Sequence, residues 1–174
     1  RAKVEMRTMC DYCGCRRSGP TAELASEHVR LLELGEMLHD ALHDGADATT
    51  VFAEFGRLLQ MHAAKEEIGL FEQARLLEPL ADQIEVLCRE HADLHRWLAG
   101  GLTGEDVPDA LRLLVTHIDD EEYDLFPHIF HALDPEQWEE IDLAHRAIEA
   151  VWDDGEKTSP ATATASAGTG SVTS

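Results

Sequence analysis

Three stretches of this chain carry a histidine with a second ligand-type side chain four residues on: His62 and Glu66, His91 and His95, His117 and Glu121. Residues four apart leave an α-helix on one face, about one turn from each other, so each pair offers two donors in one direction. The apolar residues around the pairs keep the same three- and four-residue steps. Strict alternation is absent and the β-branched residues are scattered, so no strand competes. The chain reads as all-α.

The periodicity predicts where the helices run. The first begins at Thr21, carries Leu24, Val29, Leu31, Leu32, Leu34 and Leu38, and stops at Gly45. A second spans about 48–76 and a third about 79–98, closed by Gly100 and Gly101. A fourth starts near Val107 and Pro108 and continues towards Leu133, with Pro127 expected to kink or end it. Asp134 and Pro135 open a short fifth helix through Trp138, Ile141, Ile148 and Trp152. Short connections make neighbours antiparallel, giving an up-down-up-down four-helix bundle with a short fifth C-terminal helix. The expected organisation is a cysteine-rich segment over 1–20, the bundle over 21–155, and a Ser/Thr/Ala/Gly tail over 156–174 too poor in large apolar residues to order.

A length of 174 residues, 44% hydrophobic, suits one domain with one core. Fourteen basic residues against 35 acidic ones leave a formal charge of −21, which argues against nucleic acid or an anionic membrane as partner. No apolar run approaches the roughly 20 residues that span a bilayer, and none resembles a signal-peptide core. Three of the four cysteines, Cys10, Cys13 and Cys15, sit together, with Cys88 far away. That is no disulfide framework. It reads as metal or redox chemistry in a reducing cytosol, so the expected location is cytoplasmic. Met6 and Met9 are candidate initiation residues.

In an antiparallel bundle, mid-helix positions meet at one level, where such folds build metal sites. Imidazole suits iron, copper or zinc, while carboxylates bridge cations and offset their charge. A structural zinc site would instead be closed and four-coordinate.

His28 within Glu-His-Val-Arg-Leu-Leu, the stretches from His62 to Phe71 and from Glu90 to His95, and the stretch from His117 to Pro127 together resemble the hemerythrin-like HHE cation-binding family. The likeness covers about 21–133, and its paired His-x3-Glu-Glu-x2-Leu-Phe signatures are highly specific. The resemblance implies an antiparallel bundle around a non-haem centre of two iron ions, oxo- or hydroxo-bridged. It makes His28, His62, His91, His95 and His117 terminal ligands, with Glu66 and Glu121 bridging. Five histidines and two carboxylates, with a bridging hydroxide, saturate one six-coordinate ion and leave its neighbour one position for dioxygen, peroxide or nitric oxide. The oxygen carriers of invertebrates have an aspartate where this chain has Glu122, so Glu122 stands as the alternative to Glu121. The cysteine-rich head is foreign to those carriers and resembles the start of some actinobacterial members.

Glu36 and His39 show ferritin-like ligand spacing, but no second such motif follows. His39 and His43 are expected to be exposed or to flank the site. His128, His131 and His145 are expected to be surface or packing residues, and replacing His145 to cost neither metal nor stability. Arg16 and Arg17 favour thiolates at Cys10, Cys13 and Cys15, which predicts either a second, thiolate metal site or a dithiol switch. Cys88 is expected in the core. The function classes that follow are a di-iron protein that binds dioxygen or decomposes peroxide in a catalase-like reaction, as part of an oxidative-stress response, and an iron, oxygen or redox sensor that signals to a protein partner.

Overall fold

The computed structural model describes residues 14–17, 19–101 and 106–158, with side chains to Asp153. A 3-10 turn, Cys15–Arg17, leads into α1, Gly19–His43. Next come α2, Thr49–Lys65, a π turn at Glu66–Leu70 and α3, Phe71–Ala74, which run on as one rod. A 3-10 turn, Glu78–Leu80, opens α4, Ala81–Gly100. The helix α5, Val107–Asp120, passes through a second π turn, Glu121–Leu125, into α6, Phe126–Ala132, and α7, Pro135–Thr158, closes the described chain. No described residue is in a strand.

Gly45 ends α1 as its periodicity predicts. It adopts φ +67°, with Gly45 N–H donating to Leu42 C=O and Ala46 N–H to Ala41 C=O, the paired bonds of a left-handed helix stop. Gly35 has a different task. A Cβ there would lie 2.8 Å from Leu111 Cδ2, so the residue lets α1 and α5 approach closely.

The inward leucines form two apolar layers. One contains Leu24, Leu70, Phe71, Leu87, Leu125 and Phe126; the other contains Leu31, Leu34, Phe55, Leu59, Leu94 and Leu114. On each rod an inward histidine falls between them. Leu24 and Leu31 flank His28, Leu59 and Leu70 flank His62, Leu87 and Leu94 flank His91, and Leu114 and Leu125 flank His117. A polar layer is thereby closed off from water by apolar residues above and below.

Two expectations are corrected. Pro127 neither ends nor breaks its helix, because it follows the second π turn and occupies the first turn of α6, where its missing N–H costs least. The fifth helix is not short: α7 has 24 residues and reaches Thr158, three residues into the segment expected to be unstructured. Buried Ile141, His145 and Ile148 hold it against the bundle, and contacts with α1, α2 and the first π turn extend along it. The remainder of that tail, and Cys10 and Cys13, lie outside the described residues.

Candidate metal centre

Both His-x3-Glu pairs sit where an α-helix widens into a π turn. Phe71 N–H bonds the carbonyl of Glu66, and Phe126 N–H bonds that of Glu121, each five residues apart. In a regular helix five residues carry a side chain about 140° round the axis. The wide turn brings each phenylalanine back towards the polar layer. Phe71 stacks on His91 at 5.7 Å and Phe126 on His28 at 5.8 Å. Single π turns of this kind are frequent at functional sites.

Four histidines and two glutamates converge. His28, His62, Glu66 and Glu121 each offer a ligand atom within 4.8 Å of the others, and so do Glu66, His91, His117 and Glu121. The two groups share both glutamates. Glu66 Oε1 lies 3.1 Å from His62 Nε2, and its Oε2 lies 3.1 Å from His91 Nε2. Glu121 Oε2 lies 3.2 Å from His28 Nε2, and its Oε1 lies 3.4 Å from His117 Nε2. Each carboxylate therefore reaches from one histidine pair to the other. All six side chains are at most 1% exposed.

His91 Nε2 and His117 Nε2 face each other at hydrogen-bond distance, 2.9 Å, but the other inward atoms have no such partner. His28 Nε2, His62 Nε2 and both oxygens of Glu66 and Glu121 are buried without a hydrogen-bond partner. Leaving such atoms orphaned costs about 1–3 kcal/mol each. Neutral imidazoles and anionic carboxylates aimed at common points are the donor set of a cation, and these residues fit one at each point.

Each imidazole is aimed by a carboxylate on its outer nitrogen. Nδ1 of His28 meets Glu122 at 2.9 Å, Nδ1 of His62 meets Glu27 at 2.8 Å, Nδ1 of His91 meets Glu67 at 2.9 Å, and Nδ1 of His117 meets Glu90 at 2.9 Å. A carboxylate there fixes the tautomer with Nε2 inward and raises ligand basicity. The pattern has an internal two-fold relation. His28, His62, Glu66, Glu27, Glu122 and Phe126 correspond in turn to His91, His117, Glu121, Glu90, Glu67 and Phe71. Helical spacing alone does not reveal the role of these outer carboxylates. Their sequence signals are the repeated dipeptide, Glu27-His28 and Glu90-His91, and the second glutamate of each His-x3-Glu-Glu signature, Glu67 and Glu122.

The charges respond to this crowding. Burial opposes charge at His28, but the neighbouring carboxylates of Glu121 and Glu122 outweigh it and raise its pKa well above the usual range. Burial likewise opposes His91, which hydrogen bonds to Glu66 and Glu67 push up to about 10. At Glu66 burial is overcome by His62, His28 and His91, which hold its pKa well below the usual carboxylate value.

His95 is not brought to either group. It lies one turn beyond His91, stacked on it at 6.5 Å, with Nε2 buried and unpartnered. Glu122 faces away from the shared centre, onto His28 Nδ1 and Arg16. His39, His43, His128 and His131 are exposed. His145 is buried at 1%, contacts Glu23, and lies 2.9 Å from where a Cβ on Gly69 would be, so it packs against the first π turn. The expectation that His145 can be replaced without cost is corrected on that ground.

Beside the cage lies an unexpected buried lysine. Lys65, fully buried, pairs with Glu23, with Glu27 at 2.6 Å and with Glu149 at 2.8 Å. These three glutamates also converge as a cation-sized group, but the ammonium of Lys65 already serves them. Burial disfavours its charge, yet the three carboxylates raise its pKa above the usual lysine value.

Cys15 is buried and disulfide-bonded. In that form its sulfur is not a metal ligand, which corrects the thiolate metal-site expectation at this residue, whereas a disulfide is the oxidised form of a dithiol switch. Cys88 is a free, half-buried thiol packed against the apolar layer.

A helical bundle with a buried layer of histidines and shared carboxylates defines a cation-binding protein of the bundle-core type. Residues 19–129 match the hemerythrin HHE cation binding domain, and the chain belongs to that family. No curated protein and no solved structure matches it significantly. No helix among the described residues is long and apolar enough to cross a membrane.

Proposed function

We propose that this chain is a non-haem di-iron protein that reacts with hydrogen peroxide or binds dioxygen. One iron is assigned to His28 and His62, the other to His91 and His117, with Glu66 and Glu121 shared between them. The observation that carries this reading is the convergence of buried ligand-type atoms on two points with two common carboxylates, whose oxygens have no hydrogen-bond partner. Two imidazoles and two shared carboxylates give each ion four protein donors, which leaves room at both for a solvent-derived bridge and a small molecule. With His95 outside the set, the coordination is more open and more even than five histidines would make it. When bound, the irons supply one-electron redox chemistry at those open positions. The protein supplies the aimed imidazoles and the apolar wall of Phe71 and Phe126, which limits water around them.

A sensor is the second reading, and one contact favours it. Arg16 Nε lies 2.8 Å from Glu122 Oε2, and Glu122 holds His28. The residue after the disulfide-bonded Cys15 thus touches the carboxylate that orients a candidate ligand.

Oxygen evolution from peroxide by the iron-loaded protein tests the first reading, with Glu66→Ala and Cys15→Ser as comparisons. Iron-dependent evolution that Glu66→Ala abolishes and Cys15→Ser leaves intact supports catalysis in the bundle. No evolution, with helix packing or partner binding altered in Cys15→Ser, supports the sensor. Repeated reversible oxygenation of the diferrous form without peroxide turnover identifies an oxygen-binding protein.

A further inference from the structure

The two halves of the cage correspond residue for residue in their imidazoles, bridging carboxylates and outer carboxylates, although only His91 and His117 bond each other through Nε2, and they differ in what stands behind them. Behind His28, Glu122 is met by Arg16 at 2.8 Å. Behind His62, Glu27 is met by Lys65 at 2.6 Å. In the other half, neither Glu67 nor Glu90 pairs with a lysine or arginine among the described residues. The residue before the bridging glutamate is Lys65 in the first half and Asp120 in the second.

This difference reaches the inner nitrogen. An imidazole whose outer N–H is held by a free carboxylate gains imidazolate character and becomes the stronger donor. A cation on that carboxylate withdraws electron density from the hydrogen bond and adds a positive charge near the ion. Lys65 also serves Glu23 and Glu149, but those two are 35% and 46% exposed and so are screened by water, whereas the ammonium is fully buried. Through Glu27, which meets Lys65 at 2.6 Å and His62 Nδ1 at 2.8 Å, it stands one carboxylate away from the imidazole.

We propose that Arg16 and Lys65 make the two cation positions unequal, so that the His91–His117 position fills before the His28–His62 position. Both residues are positioning residues: they act on the ion through Glu122 and Glu27. The proposal rests on the reading that each histidine pair holds one cation.

The test is anomalous diffraction at the cobalt edge from crystals of metal-free protein given one equivalent of cobalt(II). The expected result is an occupancy at His91–His117 about tenfold that at His28–His62, the lower end of what outer-shell partners contribute to metal affinity. Arg16→Gln should narrow that ratio by strengthening the first half. Asp120→Asn should narrow it by weakening the second, and it keeps the test open if a Lys65 variant does not fold. Two-step calorimetric titration with cobalt(II) should show the same convergence in solution. Equal occupancy in the wild type, or preference for His28–His62, overturns the proposal. An unchanged ratio in both variants overturns the roles given to these charges. Cobalt at neither position would instead overturn the two-cation reading beneath it.

Discussion

Glu122 Oε1 lies 2.9 Å from His28 Nδ1, on the far side of the ring from the inward-facing Nε2. Of two adjacent glutamates, Glu121 faces the shared centre and Glu122 supports a histidine from behind. The same division separates Glu66 from Glu67, which lies 2.9 Å from His91 Nδ1. One carboxylate of each pair faces the shared centre and the other holds an imidazole from behind.

Removing the two kinds of carboxylate should therefore have different effects. Glu66→Ala and Glu121→Ala are expected to lose both ions, since each takes a donor from both positions. Glu122→Gln and Glu67→Gln are expected to retain metal with affinity reduced about 10- to 100-fold. Metal content and competition with a chelator check this. Equal losses in the two classes would contradict the division.

Lys65→Met is expected to destabilise the metal-free protein by about 3 kcal/mol, because it leaves Glu27 partly buried without its cation. Urea unfolding followed by circular dichroism measures it. A change below about 0.5 kcal/mol would show that the three glutamates do not depend on the lysine.

Gly69→Ala should cost about 1–3 kcal/mol through overpacking, since its Cβ would meet His145 Cδ2 at 2.9 Å. His145→Ala should also destabilise by emptying a packed site. The double variant should be less unstable than the sum, because the new methyl enters the space the ring vacates. Thermal unfolding of the four proteins gives the coupling directly, and strict additivity would contradict the contact.

Metal uptake should release protons. In the metal-free cage His91 is charged at neutral pH, its pKa pushed up to about 10, and a ligand imidazole must be neutral at Nε2. Affinity should therefore rise with pH between about 6 and 10. In metal-free protein the stability that His91 contributes is full below its unfolded pKa of about 6.5 and is lost as pH rises through about 10. Calorimetry in buffers of different ionisation enthalpy counts the protons released, and a count of zero at pH 7 would contradict the charged state.

What was legible in the sequence was local. His62 with Glu66, and His117 with Glu121, share a helix, so spacing alone put them on one face. Spacing sets the face but not the level. His95 shares a helix with His91, yet the register of α4 leaves it one turn from the layer where Glu66 and Glu121 meet. The outer carboxylates were hidden because each pairing crosses between rods, as Glu27 does to His62 and Glu122 to His28. The length of α7 was hidden for the same reason, since it depends on His145 and Glu149 reaching residues more than 80 positions earlier. The π turns have no periodic signal in a short window, although Pro127 marked where one of them falls.

Iron counting is the most direct test of the central claim. Metal-free protein is loaded anaerobically with ferrous iron, freed of excess, and measured for iron and for its Mössbauer spectrum after oxidation. Two irons per chain, coupled through a common bridge in the wild type and lost in Glu66→Ala, is the expected result. One iron or none per chain, or the same iron content in Glu66→Ala, would contradict a two-iron cage built on the shared carboxylates.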